Sequence, residues 1–121
     1  MYKPEGYTDV SPYLVVADVE AVLTFAETVF GAKRLRIFHR EDGSIMHAEM
    51  RIGDSVVMLG GAEGGAPALL HVYTEDADDA FDRATAAGAT VLQEMQHKGD
   101  GDYRGGVADA SGTQWYISRQ L

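Results

Sequence analysis

The chain contains no cysteine. That excludes disulfides, thiolate metal sites and a cysteine nucleophile, while leaving the redox compartment undetermined. Basic side chains are scarce, ten Lys and Arg against nineteen Asp and Glu, for a net charge of −9. Such a surface repels phosphate backbones and anionic lipid, so neither nucleic acid nor a membrane is an expected partner, whereas a cationic ligand suits it. No apolar run approaches the ~18 residues of a membrane span. No basic-then-apolar leader is visible either, and the expected location is cytoplasmic. The one stretch rich in glycine, Gly60-Gly61-Ala62-Glu63-Gly64-Gly65-Ala66-Pro67, lacks the Lys-Ser/Thr of a phosphate loop. It reads as a flexible connector.

What is present fits one domain. The 121 residues are 45% hydrophobic and 24% charged, enough for a sizeable core. The most informative stretch runs from Asp42 to Gly60, a strand, a turn at Gly53-Asp54-Ser55 and a returning strand. Alternation puts Met46, Ala48, Met50 and Ile52 on one side, an apolar face that asks for a helix. The other side carries Ile45, His47, Glu49 and Arg51. A His and a Glu two residues apart on one strand face read in two ways: as part of a small-molecule site, or as a hydrogen-bonded pair that fixes strand register. The two differ in what Glu49→Gln should do. A functional pair would keep its stability and lose function, whereas a structural pair would lose about 1–3 kcal/mol.

The same pattern is written twice. Ser11 to Val16 is β-prone, Asp18 is placed to cap a helix, and Val22, Phe25, Ala26, Val29 and Phe30 form its apolar face before Gly31 closes it. Lys33 to Arg40 is the next strand, followed by the pair around His47. In the second half Leu69 to Thr74 is a strand and Asp76 an N-cap. Ala77, Ala80, Phe81, Ala84 and Ala87 make a helical face, and Gly88 ends it. Strands over Thr90–His97, Arg104–Asp109 and Thr113–Ser118 complete the copy. Gly31-Ala32 recurs as Gly88-Ala89. The expected organisation is α+β, with two βαβββ modules at residues 10–60 and 68–121 joined by a connector at 60–67. The two modules are expected to pair into a curved mixed sheet.

With that order, the chain resembles the glyoxalase I, bleomycin-resistance and extradiol-dioxygenase superfamily (vicinal oxygen chelate fold). Ser11-Pro12-Tyr13-Leu14, Phe30-Gly31-Ala32, His47-Ala48-Glu49, Ile52-Gly53-Asp54, His71-Val72-Tyr73 and Gly88-Ala89-Thr90 resemble its PhnB-like group. The resemblance implies helices on the convex side of the sheet, a concave pocket and a homodimer. In the enzymes it further implies a divalent metal held by one ligand near the start of each module's first strand and one in each last strand. Carried over, those slots are Ser11, Met58 or Leu59, Leu69 and Tyr116, none of which offers the carboxylate or imidazole such a site needs. No cofactor is therefore expected. The alternative is one divalent metal at a relocated triad of His47, Glu49 and His71.

On this frame the pocket is expected to be lined by Tyr13, His47, Glu49, Met58, His71, Tyr73, Trp115 and Tyr116. A protein without a metal centre that sequesters a small aromatic or cationic compound fits the aromatics and the acidic balance. A lyase, isomerase or dioxygenase-like enzyme acting on a small oxygenated substrate is the alternative, with Glu49 as base oriented by His47, or with the relocated metal. A pocket filled by the chain's own side chains is the third reading.

Overall fold

The computed structural model describes residues 2–66 and 68–121, which form two compact units dividing after Ala66. The first contains β1 (Tyr13–Val16), α1 (Val19–Phe30), β2 (Lys33–His39), β3 (Ile45–Ile52) and β4 (Ser55–Gly61). Its sheet runs β1-β4-β3-β2, with β1 parallel to β4 and the other pairs antiparallel. The second contains β5 (Leu69–Tyr73), α2 (Ala77–Ala86), β6 (Thr90–His97), β7 (Asp102–Ala108) and β8 (Gln114–Gln120) in the matching order β5-β8-β7-β6. The α+β class and the doubled βαβββ order are as the sequence implied. Among the described residues no helix is long and apolar enough to cross a membrane.

Local chemistry explains the elements of the first module. The Asp18 carboxylate accepts the Ala21 N–H at 3.0 Å and caps α1. Gly31 ends the helix at φ 67°, and the N–H groups of Gly31 and Ala32 return to Glu27 and Ala26. Gly53, at φ 58°, opens the two-residue turn between Ile52 and Ser55. Helix α1 packs on β3 and β4, where Ala48, Met50, Val57 and Leu59 are buried. Arg34 ties β2 to the same helix through Glu20 and Glu27. Met46 was expected beneath the helix but lies near the strand's start and is exposed.

The glycine-rich segment requires a correction. Gly60 and Gly61 are not connector; they are the buried end of β4, paired with Val15 and Val16 of β1. A Cβ on Gly61 would run into the Ile45 carbonyl oxygen, and one on Gly60 would stand 2.9 Å from the Tyr13 ring. These glycines are there for close approach.

In the second module α2 buries Ala77, Ala80, Phe81 and Ala84, while Ala87 falls outside the helix and is exposed. Asp76 stands at the N-cap position without capping. Its carboxylate accepts from Thr74 and Arg83 instead, bonds that lower its pKa. Gly105 lets β7 approach the helix, since a Cβ there would sit 2.9 Å from the Phe81 ring. Trp115 and Ile117 share this side of the sheet and are fully buried. The Trp115 indole N–H donates to Asp109 Oδ2 at 3.0 Å, and Asp109 also organises the Ser111-Gly112 turn. Trp115 is thus core, and its expected place in a pocket wall is corrected: one residue of strand parity puts Tyr116, not Trp115, on the open side.

Candidate functional site

The helix-free face of the first module carries the densest polar arrangement. Glu49 lies in the middle of β3 and is 2% exposed. Burying a lone carboxylate costs several kcal/mol, so its surroundings have to supply partners. They come from three segments. Tyr7, in the lead-in, donates its hydroxyl to Oε1. Arg36, on β2, donates Nε to Oε1 at 2.9 Å and Nη2 to Oε2 at 3.2 Å. His47, two residues back on β3, meets Oε2 through Nε2 at 2.9 Å. These bonds fill the acceptor sites of the carboxylate. Burial pushes the carboxyl pKa up. The hydrogen bonds from Arg36, His47 and Tyr7, with the charge of Arg36, outweigh that and hold it at about 2.

His47 continues the chain outward. Its Nδ1 is 3.1 Å from the Tyr13 hydroxyl on β1, and the Tyr13 ring lies over Gly60. The rings of Tyr13 and Phe38 flank the imidazole, with centroids 5.6 and 5.9 Å away. Tyr13 and Phe38 are 54% and 46% exposed. Met58, half-buried on β4, pairs with Glu49 in register and with Tyr13 on its other side. The lead-in is anchored here as well: Arg51 Nη2 donates to the Gly6 carbonyl and the Val56 N–H to Thr8 Oγ1. Arg36 stacks on the Tyr7 ring at 5.1 Å.

Of the residues named from the sequence, Tyr13, His47, Glu49 and Met58 come together on this face. Tyr7, Arg36 and Phe38 were missed. Sequence gave little signal for them, because Tyr7 precedes the first strand and a β-bulge between Arg34 and Ile37 breaks the register that would relate Arg36 to Glu49.

His71, Tyr73 and Tyr116 share the helix-free face of the second module. Tyr116 lies over Gly106, much as Tyr13 lies over Gly60. Tyr73 donates to Asp102 at 3.0 Å, which raises its own pKa, and Arg104 pairs with the same oxygen at 2.9 Å. Ser118, His71 and Asp102 hold three residue types of a nucleophilic triad, yet the geometry is wrong for one. Ser118 Oγ, at 3.0 Å, and Asp102 Oδ2, at 3.9 Å, both approach Nε2 of His71, and Ser118 is fully buried.

Metal binding is judged on the donors. Among the described residues no three His, Asp or Glu side chains gather to hold a metal ion, and the triad of His47, Glu49 and His71 is not formed within either module. At the slots the resemblance implies, Leu59 is buried under α1, leaving Met58, with Leu69, Tyr116 and Ser11. A thioether, an aliphatic chain, a phenol and a hydroxyl already 3.3 Å from Thr8 do not suit a hard divalent cation. A broad cleft of about 940 Å³ opens elsewhere, between the start of α1 and the β2–β3 turn. Its carboxylates include Asp18, Glu20 and Asp42, which are engaged by Ala21, Arg34 and Ser44.

A family model for the Glyoxalase/Bleomycin resistance protein/Dioxygenase superfamily matches residues 10–117. The chain belongs to that superfamily. An uncharacterized protein of Mycobacterium bovis is 35% identical over 125 residues, covering 92% of this chain and 82% of the relative. Among solved structures, TioX from Micromonospora sp. ML1 superposes with a TM-score of 0.80 at 28% identity, covering 94% of this chain and 99% of that one. The genomically encoded fosfomycin resistance protein FosX of Listeria monocytogenes gives a TM-score of 0.71 at 12% identity, covering 94% and 93%. At that identity FosX speaks for the superfamily fold alone.

Proposed function

We propose that the protein binds a small aromatic molecule on the helix-free face of its first module, without a metal ion. The observation that carries this reading is the exposed ring cluster of Tyr13 and Phe38 around His47, set over a buried carboxylate whose acceptor sites are filled. A planar ring gains area and favourable stacking there, and a positive charge on it gains from the acidic surface. Sequestration of a toxic compound is one use of such a site in a superfamily whose description includes bleomycin resistance proteins. The lyase, isomerase or dioxygenase-like reading with Glu49 as base has less support. A carboxyl held at about 2, with both oxygens engaged, is a weak base.

The test is calorimetry with a series of planar aromatic cations and their neutral and anionic counterparts, on protein treated with EDTA. Tyr13→Ala and Phe38→Ala should each weaken binding by about tenfold, the value of one good ring contact, with the unfolding temperature preserved. Absence of binding across the series, or binding that EDTA abolishes, would refute the reading.

A further inference from the structure

The ring cluster contains a directional chain of hydrogen bonds. Glu49 is ionised at neutral pH and can only accept, so the hydrogen on the 2.9 Å line to His47 belongs to Nε2. In the neutral ring Nδ1 is then an acceptor, and the Tyr13 hydroxyl 3.1 Å away donates to it. The remaining lone pair of that hydroxyl is left for a ligand, on a side chain with about half its surface open. Each member is held by a different part of the module. Arg36 from β2 and Tyr7 from the lead-in fix Glu49, Phe38 from β2 flanks the imidazole, and β4 contributes Gly60 beneath the Tyr13 ring. A buried carboxylate, an imidazole of set tautomer and an exposed hydroxyl are the parts from which a proton relay is built.

Resting on the binding reading above, we propose that Tyr13, His47 and Glu49 form a proton relay whose exposed end, the Tyr13 hydroxyl, takes the proton of a bound phenol. The ligand O–H bond breaks and its proton passes to Tyr13 Oη, while the Tyr13 O–H bond breaks and its proton passes to His47 Nδ1. The products are a bound phenolate and an imidazolium paired with the Glu49 carboxylate. No electron moves between partners and no co-reactant is consumed. The ligand class follows from the surroundings: the flanking rings select an aromatic, and the relay selects one whose hydroxyl is acidic enough to yield its proton to an imidazole.

The probes are 4-nitrophenol, whose phenolate absorbs at longer wavelength than the phenol, and 4-nitroanisole, the same ring with a methyl ether and no proton to give. An adjacent opposite charge moves a titration by about one unit or more, so at about pH 7.5, where the ordinary imidazole is neutral, the phenolate-to-phenol ratio of bound nitrophenol should exceed that in free solution by about tenfold. Tyr13→Phe should keep affinity for nitroanisole and abolish the spectral change, with the same unfolding temperature. His47→Gln should abolish the change as well. Binding of both probes with no spectral change, or a change that survives in Tyr13→Phe, overturns the relay and leaves the binding site standing. Failure of both probes to bind overturns the relay together with the site.

Discussion

Replacing Glu49 by Gln keeps the shape of the side chain and removes the charge around which Tyr7, Arg36 and His47 are arranged. The carboxyl sits at about 2 in the folded chain against an ordinary 4.5. At about 1.4 kcal/mol per pH unit, that gap corresponds to about 3 kcal/mol of stability at neutral pH. Arg36 is half-exposed and its charge is screened, so this is an upper bound. Because the folded value lies below the unfolded one, the contribution is complete above about pH 4.5 and disappears as the pH falls towards 2. Gln offers one accepting oxygen and turns an amide N–H₂ towards donors, leaving a buried group unpaired at a cost of about 1–3 kcal/mol. Urea unfolding of both proteins across the acid range checks the argument. Glu49→Gln should be less stable at neutral pH by that amount, or by about 4 °C in Tm per kcal/mol for a chain of this size. With Tyr7, Arg36 and His47 all bound to it, Glu49 has a structural role beside its place in the relay, so stability and function should fall together rather than separately. The native protein should then lose stability faster below about pH 4.5, at up to ~1.4 kcal/mol per pH unit, until the curves converge. A variant as stable as the native chain at neutral pH, or parallel acid limbs, would refute the reasoning.

The two glycines that end β4 should respond differently to Ala. In Gly61→Ala the new methyl meets the Ile45 carbonyl, which cannot step aside, and denaturant unfolding should show a loss of about 3 kcal/mol. In Gly60→Ala it meets the exposed Tyr13 ring, which can swing outward. Stability should stay within about 1 kcal/mol while the Tyr13–His47 bond is lost, read as a collapse of the nitrophenol response. The chain should also form a homodimer, since β2 and β6 end their sheets as open edges and Val91 and Leu92 on β6 are exposed. Light scattering that gives the monomer mass at micromolar concentration, unchanged after roughly tenfold concentration, would remove this claim.

What the sequence revealed, and what it hid, follows from how far apart the cooperating residues lie. Two-residue alternation placed Ala48 and Met50 against α1 and His47 with Glu49 on the opposite face, and the structure has them there, because strand parity is a local property. The helix boundaries at Asp18 and Gly31 were legible for the same reason. The partners of Glu49 were not. Arg36 comes from a neighbouring strand across a bulge and Tyr7 from outside the sheet, and no spacing rule reaches either. Composition misled at Gly60 and Gly61, where glycine means a close neighbour, not a loose chain. It misled again at Asp76, whose place at a helix start suggested capping while Arg83 and Thr74 were near enough to claim it.

The two modules show why the superfamily assignment says much about fold and little about chemistry. In each, the sheet residues that carry the fold lie on the helix side: Ala48, Met50, Val57 and Leu59 in one, Gly105, Val107, Trp115 and Ile117 in the other. The intervening residues point to the other face, where Glu49, Val56 and Ser118 are also buried but most are half-buried or exposed. In both modules that face keeps a tyrosine ring lying over a glycine, Tyr13 on Gly60 and Tyr116 on Gly106, with the glycine on β4 in the first and on β7 in the second. Beyond this they diverge. The first surrounds a buried carboxylate with Arg36, His47 and Tyr7. The second pairs Arg104 with Asp102, which is also close to Tyr73 and His71. A family model read mainly from the helix side would match chains whose open faces bind, transform or ignore a ligand. The open-face residues Tyr13, Phe38, His47 and Glu49 are therefore where the function of this chain has to be tested.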